Sequence, residues 1–111
     1  MPSGRGISRE RDVQDLLESQ DWVVARCAGS LGPFDLVALK LGKRPRLIEV
    51  KSTITPYSHF GPKDRADLRF ASEMADAEPW LAWWPKHGKL HWLHGLDWPD
   101  YRAEKREDIP F

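Results

Sequence analysis

The stretch that most constrains this chain is residues 44–53, RPRLIEVKST, an apolar, β-branched run of strand length with a glutamate and a lysine near its middle. Side chains two apart on a strand share a face, so Glu49 and Lys51 point one way while Ile48 and Val50 point the other. A buried strand does not accept charges without partners. The chain must therefore build a sheet in which one face of this strand carries a paired or solvated charge cluster. Just before it lies a second strand-like run, residues 34–41, FDLVALKL, in which Asp35 shares a face with Val37 and Leu39. Residues 41–45, LGKRP, form a turn between the two, giving an antiparallel hairpin. Pairing around that turn brings Asp35, near the start of one arm, close to Glu49, near the end of the other.

The remaining elements follow from spacing and punctuation. Val13, Leu16 and Leu17 recur at helical intervals, with Ser8 as N-cap and Glu10 heading the same inward stripe. Residues 22–28, WVVARCA, read as a strand, broken by Gly29, Gly32 and Pro33. The two prolines and the glycine of residues 54–62, ITPYSHFGP, predict an exposed loop. Pro62 opens a second helix, with one row through Ala66, Phe70, Met74 and Ala77, another through Leu68, Ala71 and Ala75, and a stop at Pro79. Two strands follow, WLAWW at 80–84 and KLHWLHGL at 89–96. The order is α-β-β-β-α-β-β, an α/β fold with a mixed central β-sheet flanked by helices.

With 111 residues this is one domain, its core spanning about 5–96 and residues 97–111 expected to be an irregular tail. The single cysteine, Cys27, excludes an internal disulfide framework and fits a reducing, cytoplasmic setting. No run approaches the roughly 20 apolar residues of a membrane span, and the first residues, MPSGRGISRERD, lack the apolar core of a secretory signal. Seventeen basic and seventeen acidic side chains balance, so the chain is no uniformly basic coat for nucleic acid. Charge is instead local. Residues 40–51 hold five basic side chains, Lys40, Lys43, Arg44, Arg46 and Lys51, against one glutamate.

Two close carboxylates repel unless a cation lies between them. Hard oxygen donors at an incomplete, hydrated site favour Mg²⁺, with Mn²⁺ as a substitute. Such an ion acidifies water and neutralises a phosphate oxygen, and Lys51 beside it can orient the attacking water or stabilise charge on phosphorus. The reaction class is phosphodiester hydrolysis. With seven glutamates and seven lysines an E-x-K arises about 0.4 times by chance, so the tripeptide alone is weak. An apolar strand around it, an aspartate opening the strand before, and a glutamate heading the first helix strengthen it. Glu10 alone would read as an acid favoured by a helix N-terminus.

A helix glutamate, a strand aspartate and E-V-K together resemble the PD-(D/E)xK nucleases of the restriction-endonuclease-like fold. More narrowly the chain resembles the archaeal-type Holliday-junction resolvases. The likeness runs through G-x-x-x-E-R at Gly6, Glu10 and Arg11, and V-x-R-x-A-G-S at Val24, Arg26, Ala28, Gly29 and Ser30. It continues through D-L-V-A at 35–38 and I-E-V-K at 48–51, and more loosely to Lys63 and Phe70. The resemblance implies a Mg²⁺-dependent endonuclease of DNA recombination and repair that resolves four-way junctions. It further implies Asp35, Glu49 and the Val50 carbonyl as metal ligands, Glu10 completing the acidic cluster, and Lys51 as catalytic lysine. Ser30 would sit in a loop near the scissile phosphate, with Arg11 and Arg26 binding phosphate or supporting the site. Beside such a site the basic loop Lys40, Lys43, Arg44 and Arg46 is expected to contact phosphates, and Arg5, Arg9 and Lys63 to face DNA. The alternatives are another nuclease of this superfamily, for nicking or repair, or a DNA-binding module without catalysis.

Plainer readings compete at several positions. Cys27 fits a small buried hydrophobe better than a reactive thiol. His91 and His94 face opposite sides of a strand, against a zinc site with His87. Ser30 alone would be a turn former, and the basic loop a solvated hairpin tip. Six tryptophans are many for this length, and the neighbours Trp83 and Trp84 must face opposite sides. One of them is therefore expected at an interface, making residues 68–84 the contact of a C2 homodimer that offers two sites to a two-fold junction.

Overall fold

The structure is a computed structural model that describes residues 4–27, 32–85 and 88–100, without the side chains of residues 4–7. Val13 and Leu17 anchor the first helix, α1 (Gly4–Ser19), and both are fully enclosed. The helix begins before Ser8, which is therefore an interior residue and not the N-cap. Glu10 consequently lies in the second turn, beyond the reach of the N-terminal dipole, and that explanation of its position falls away.

Three strands follow: β1 (Val23–Arg26), β2 (Leu36–Leu39) and β3 (Arg46–Ser52). β2 and β3 form the expected antiparallel hairpin, with Leu36 opposite Ile48. Gly42, at φ 77°, supplies the left-handed residue of its turn. Strand β4 (Glu78–Trp84) runs parallel to β3. Parallel neighbours need a crossover, and helix α2 (Pro62–Met74) provides it. β5 (His91–His94) pairs antiparallel with β4, completing a five-stranded sheet ordered β1-β2-β3-β4-β5. The element order and mixed sheet are those read from the sequence.

Alternation along the strands divides the core between the two faces. Val13, Leu17, Trp22, Val24, Leu36, Ala38, Ile48 and Ala82 pack under α1. Leu47, Tyr57, Phe60, Leu68, Leu81, Trp83, Leu93 and Trp98 pack under α2.

Several local expectations change. Residues 54–62 are not an exposed loop. Pro56–Ser58 form a 3-10 turn that drives Tyr57 and Phe60 into the α2-side core, where Phe60 meets Trp98 edge-on at 5.0 Å. Prolines and glycine mark the turn correctly but do not encode which side it presents. Helix α2 ends at Met74, before Pro79, because Asp76 adopts φ 50° and Pro79 already belongs to β4 opposite Leu47. Its buried row is Arg65, Leu68 and Ser72, whereas Phe70 and Met74 are 65% and 73% exposed. Trp98 is 4% exposed and its indole N–H donates to the Leu93 carbonyl at 2.9 Å, so the core extends past residue 96. Residues 101–111 of the expected tail lie outside the described residues.

The tryptophan expectation is also corrected. Trp83 is 2% exposed within the core, and Trp84 is half-buried beneath the Arg9 guanidinium, so neither forms an open apolar patch. Arg46 is likewise drawn inward. Its guanidinium stacks between Trp22, 4.5 Å away, and Trp80, 5.3 Å away. Arg46→Ala should therefore lower the melting temperature, losing about 1–2 kcal/mol from two partly buried cation–π contacts. Thermal unfolding beside Lys43→Ala, an exposed position of the same turn, checks this; equal melting of the two variants would contradict the stacking account.

Candidate active site

The hairpin register assembles the charged cluster. Asp35 precedes β2, and its N–H donates to the Ile48 carbonyl at 2.8 Å, which sets its side chain beside Glu49. The Val50 N–H donates to Asp35 Oδ2 at 2.8 Å, fixing one carboxylate oxygen. The Glu49 carboxyl lies in hydrogen-bonding contact with Asp35. Lys51 Nζ stands 3.3 Å from Glu49 Oε2 on the same strand face. These three side chains line a cavity of about 230 Å³ closed by Gly32, Pro33 and, from α2, Asp64 and Asp67.

Glu10 approaches from the opposite side of the sheet. Its Oε1 lies 3.8 Å from Arg26 Nη2. Burial raises the Glu10 pKa, the charge of Asp35 raises it further, and Arg26 and Lys51 oppose both. Burial is also the largest cause at Glu49, whose pKa is pushed up to about 8 with help from the hydrogen bond and charge of Asp35. A proton shared by two carboxylates is what a hard cation displaces. Among the described residues no three His, Cys, Asp or Glu side chains converge into a ready cage. Two carboxylates with room for water nonetheless suit Mg²⁺, which keeps much of its hydration shell. Cys27, whose N–H donates to the Asp35 carbonyl at 2.8 Å, has its thiol pKa raised by burial and by the nearby acids, which disfavours a reactive thiolate.

A pH dependence follows. Between the ordinary value of 4.5 and about 8 the folded state holds a proton on Glu49 that the unfolded chain has released. Stability contributed by that proton is complete below pH 4.5 and is lost as pH rises towards 8. In metal-free buffer the melting temperature should fall across this window, and Glu49→Gln should flatten the fall. Parallel slopes for the two proteins would contradict the assignment.

The sequence pattern of the archaeal Holliday junction resolvase (Hjc) family matches residues 1–106. The chain belongs to that family. It is a junction-resolving nuclease, and its substrate is branched DNA. Among solved structures it is similar to Archaeoglobus fulgidus Hjc, described as a Holliday junction resolvase from an archaeal hyperthermophile. The likeness has a TM-score of 0.66 at 19% identity, covering 85% of this chain and 75% of that one. None of the curated protein sequences matches it.

The resolvase distributes its cations unevenly. The hairpin turn lies at the end of the sheet opposite the carboxylates, and most of the basic residues there have internal partners. Lys40 Nζ donates to the Gln20 carbonyl at 2.7 Å, Arg44 pairs with Asp76 at 3.1 Å, and Arg46 is stacked between indoles. Lys43 is exposed. Arg9, Arg11 and Arg26 are instead on α1 and the end of β1, at the carboxylate end. Lys63 sits near the mouth of the cavity, bonded to Asp67 Oδ2 at 2.9 Å. Ser30 and the Arg5 side chain lie outside the described residues. Sequence reasoning missed Asp64 and Asp67. Their i,i+3 spacing places both on one side of α2, and α2 begins soon after the strand that carries Lys51, which was the available signal. No described helix of the resolvase is long and apolar enough to cross a membrane.

Proposed function

We propose that this resolvase is a Mg²⁺-dependent endodeoxyribonuclease that hydrolyses phosphodiesters at four-way junctions, with Asp35, Glu49 and Lys51 as its chemical centre. The observation that carries this reading is the hairpin register lodging Glu49 against Asp35 with Lys51 at 3.3 Å. Asp35, Glu49 and the Val50 carbonyl would hold the ion, with Glu10 acting at one remove. When bound, Mg²⁺ supplies a more acidic water and neutralises charge on a phosphate oxygen; Mn²⁺ suits the same donors.

The chain's own groups do the rest. Lys51, kept near Glu49, presents a positive N–H donor towards the phosphate and stabilises negative charge developing there. Arg26 holds Glu10 at the site's edge, while Arg9, Arg11 and Lys63 bind flanking phosphates. Ser30, by the family resemblance, adds a hydroxyl donor to the scissile phosphate. Lys40, Lys43, Arg44 and Arg46 offer at most distant phosphate contacts. No described element presents base-reading side chains as a group, so recognition rests on junction shape and backbone charge.

The working unit is a C2 homodimer acting in the cytoplasm, where the DNA is. Phe70 and Met74 lie one turn apart on the outer face of α2 and are largely exposed. An apolar row on a helix pairs naturally with its own symmetry mate. A cleavage assay with labelled four-way junction, linear duplex and single strands, with and without Mg²⁺, tests the function. Paired, Mg²⁺-requiring cuts confined to the junction are expected. Equal cutting of linear duplex would replace this reading with that of a general nicking or repair nuclease.

A further inference from the structure

Helix neighbours point about 100° apart, and α1 uses this at the carboxylate end of the sheet. Glu10 turns towards Arg26 on β1, while Arg9 turns the other way, and its guanidinium lies 4.5 Å above the Trp84 ring on β4. Trp84 is paired with Ser52, immediately after Lys51, and its carbonyl accepts from the Thr53 N–H at 3.1 Å. The Arg9–Trp84 pair is thus at the same end of the sheet as Asp35, Glu49 and Lys51, but on the α1 face instead of the α2 face. The Trp84 indole N–H has no acceptor among the described residues, so no hydrogen bond explains the position of this ring. A guanidinium has five donors. The only ion pair of Arg9 among the described residues is with Asp12, at 3.4 Å and part-exposed, which leaves donors for an incoming anion.

We infer that Arg9, held over the Trp84 ring, forms a phosphate-binding shelf for the DNA backbone beside the scissile phosphate, and that Trp84 is the positioning residue that holds it there. Contact with the ring limits where the guanidinium can lie, and the donors beyond the Asp12 pair remain for recognition of a phosphate. A strand whose phosphate occupies the α2-side cavity passes over the end of the sheet and meets Arg9 next. The pair therefore aligns the cut strand from the face that the carboxylates do not occupy. This inference rests on the nuclease reading above, and Trp84 acts only through Arg9.

Binding of fluorescent four-way junction without divalent metal, measured across a salt series, tests the shelf apart from cleavage. Arg9→Ala should weaken binding about tenfold and reduce the salt slope by about 0.9, one phosphate contact. Trp84→Leu should reproduce most of that loss, Trp84→Phe should keep affinity within about twofold because a ring face remains, and the Arg9→Ala, Trp84→Leu double variant should bind no worse than Arg9→Ala. A purely structural role for the pair would lower the melting temperature without moving the salt slope. An unchanged slope in Arg9→Ala, or losses that multiply in the double variant, would overturn the shelf while leaving the nuclease reading intact. Arg9→Ala alone decides the question should Trp84→Leu not fold. Wild-type protein that binds neither junction nor duplex would overturn both.

Discussion

Asp35→Asn and Glu49→Gln should each slow junction cleavage by on the order of a thousandfold or more, while junction binding is kept or strengthened. Each substitution removes one of the two carboxylate donors that would hold the ion, and neither adds negative charge to the path of the phosphate. Because Asp35 Oδ2 is fixed by the Val50 N–H, the amide at position 35 can preserve that acceptor through its carbonyl, so loss of rate would report lost charge and not lost shape. Lys51→Ala should lose cleavage equally but still bind metal, since its ammonium is no ligand. Single-turnover cleavage and metal titration by calorimetry separate the cases. Normal rates in any two of these variants would remove the centre from this hairpin.

The second large effect concerns assembly. Phe70→Glu should convert a dimer of about twice the 12.8 kDa chain mass into a monomer and replace paired incision with single nicks. A charge on the outer face of α2 meets its own copy across a two-fold axis, so one substitution acts twice. Phe70 is exposed in the single chain, and the change should leave its melting at low concentration near wild type. Light scattering at micromolar concentration, read beside product mapping on a supercoiled cruciform plasmid (linear product for paired cuts, nicked circle for single ones), gives the answer. A wild-type monomer that makes paired cuts would rule out the α2 interface.

The clustering of Asp35, Glu49 and Lys51 is legible in the sequence because a strand repeats every two residues and a short turn fixes register. Glu49 and Lys51 share a face by arithmetic, and a turn at 41–45 leaves Asp35 with essentially one partner. The basic loop shows where such reading stops. Five cations near the E-V-K motif in sequence look close to it, but a hairpin places its turn and its open end at opposite ends of the sheet. Only Lys51 among them is at the site. Arg46 carries the same lesson at the level of packing, since no local pattern announces that a cation will lie between indoles 24 residues before it and 34 residues after it. The burial of Tyr57 and Phe60 runs against the expected exposed loop, and the two rows of α2 leave open which one faces inward, for a related reason. A loop's punctuation and a helix's rows carry period but not phase, and phase is set by what packs opposite.

The cavity walls come from stretches of chain that are far apart, and this has a consequence for when the protein becomes dangerous to DNA. The β2–β3 hairpin is local and can pair early in folding, whereas β4 joins only after a long parallel crossover, which is slow to close. Asp64 and Asp67 arrive with that crossover, and Glu10 arrives only when α1 docks on the other face. A nascent or partly unfolded chain would carry the E-V-K strand but not an enclosed site. Enclosure of the carboxylates is thereby tied to completion of the native state.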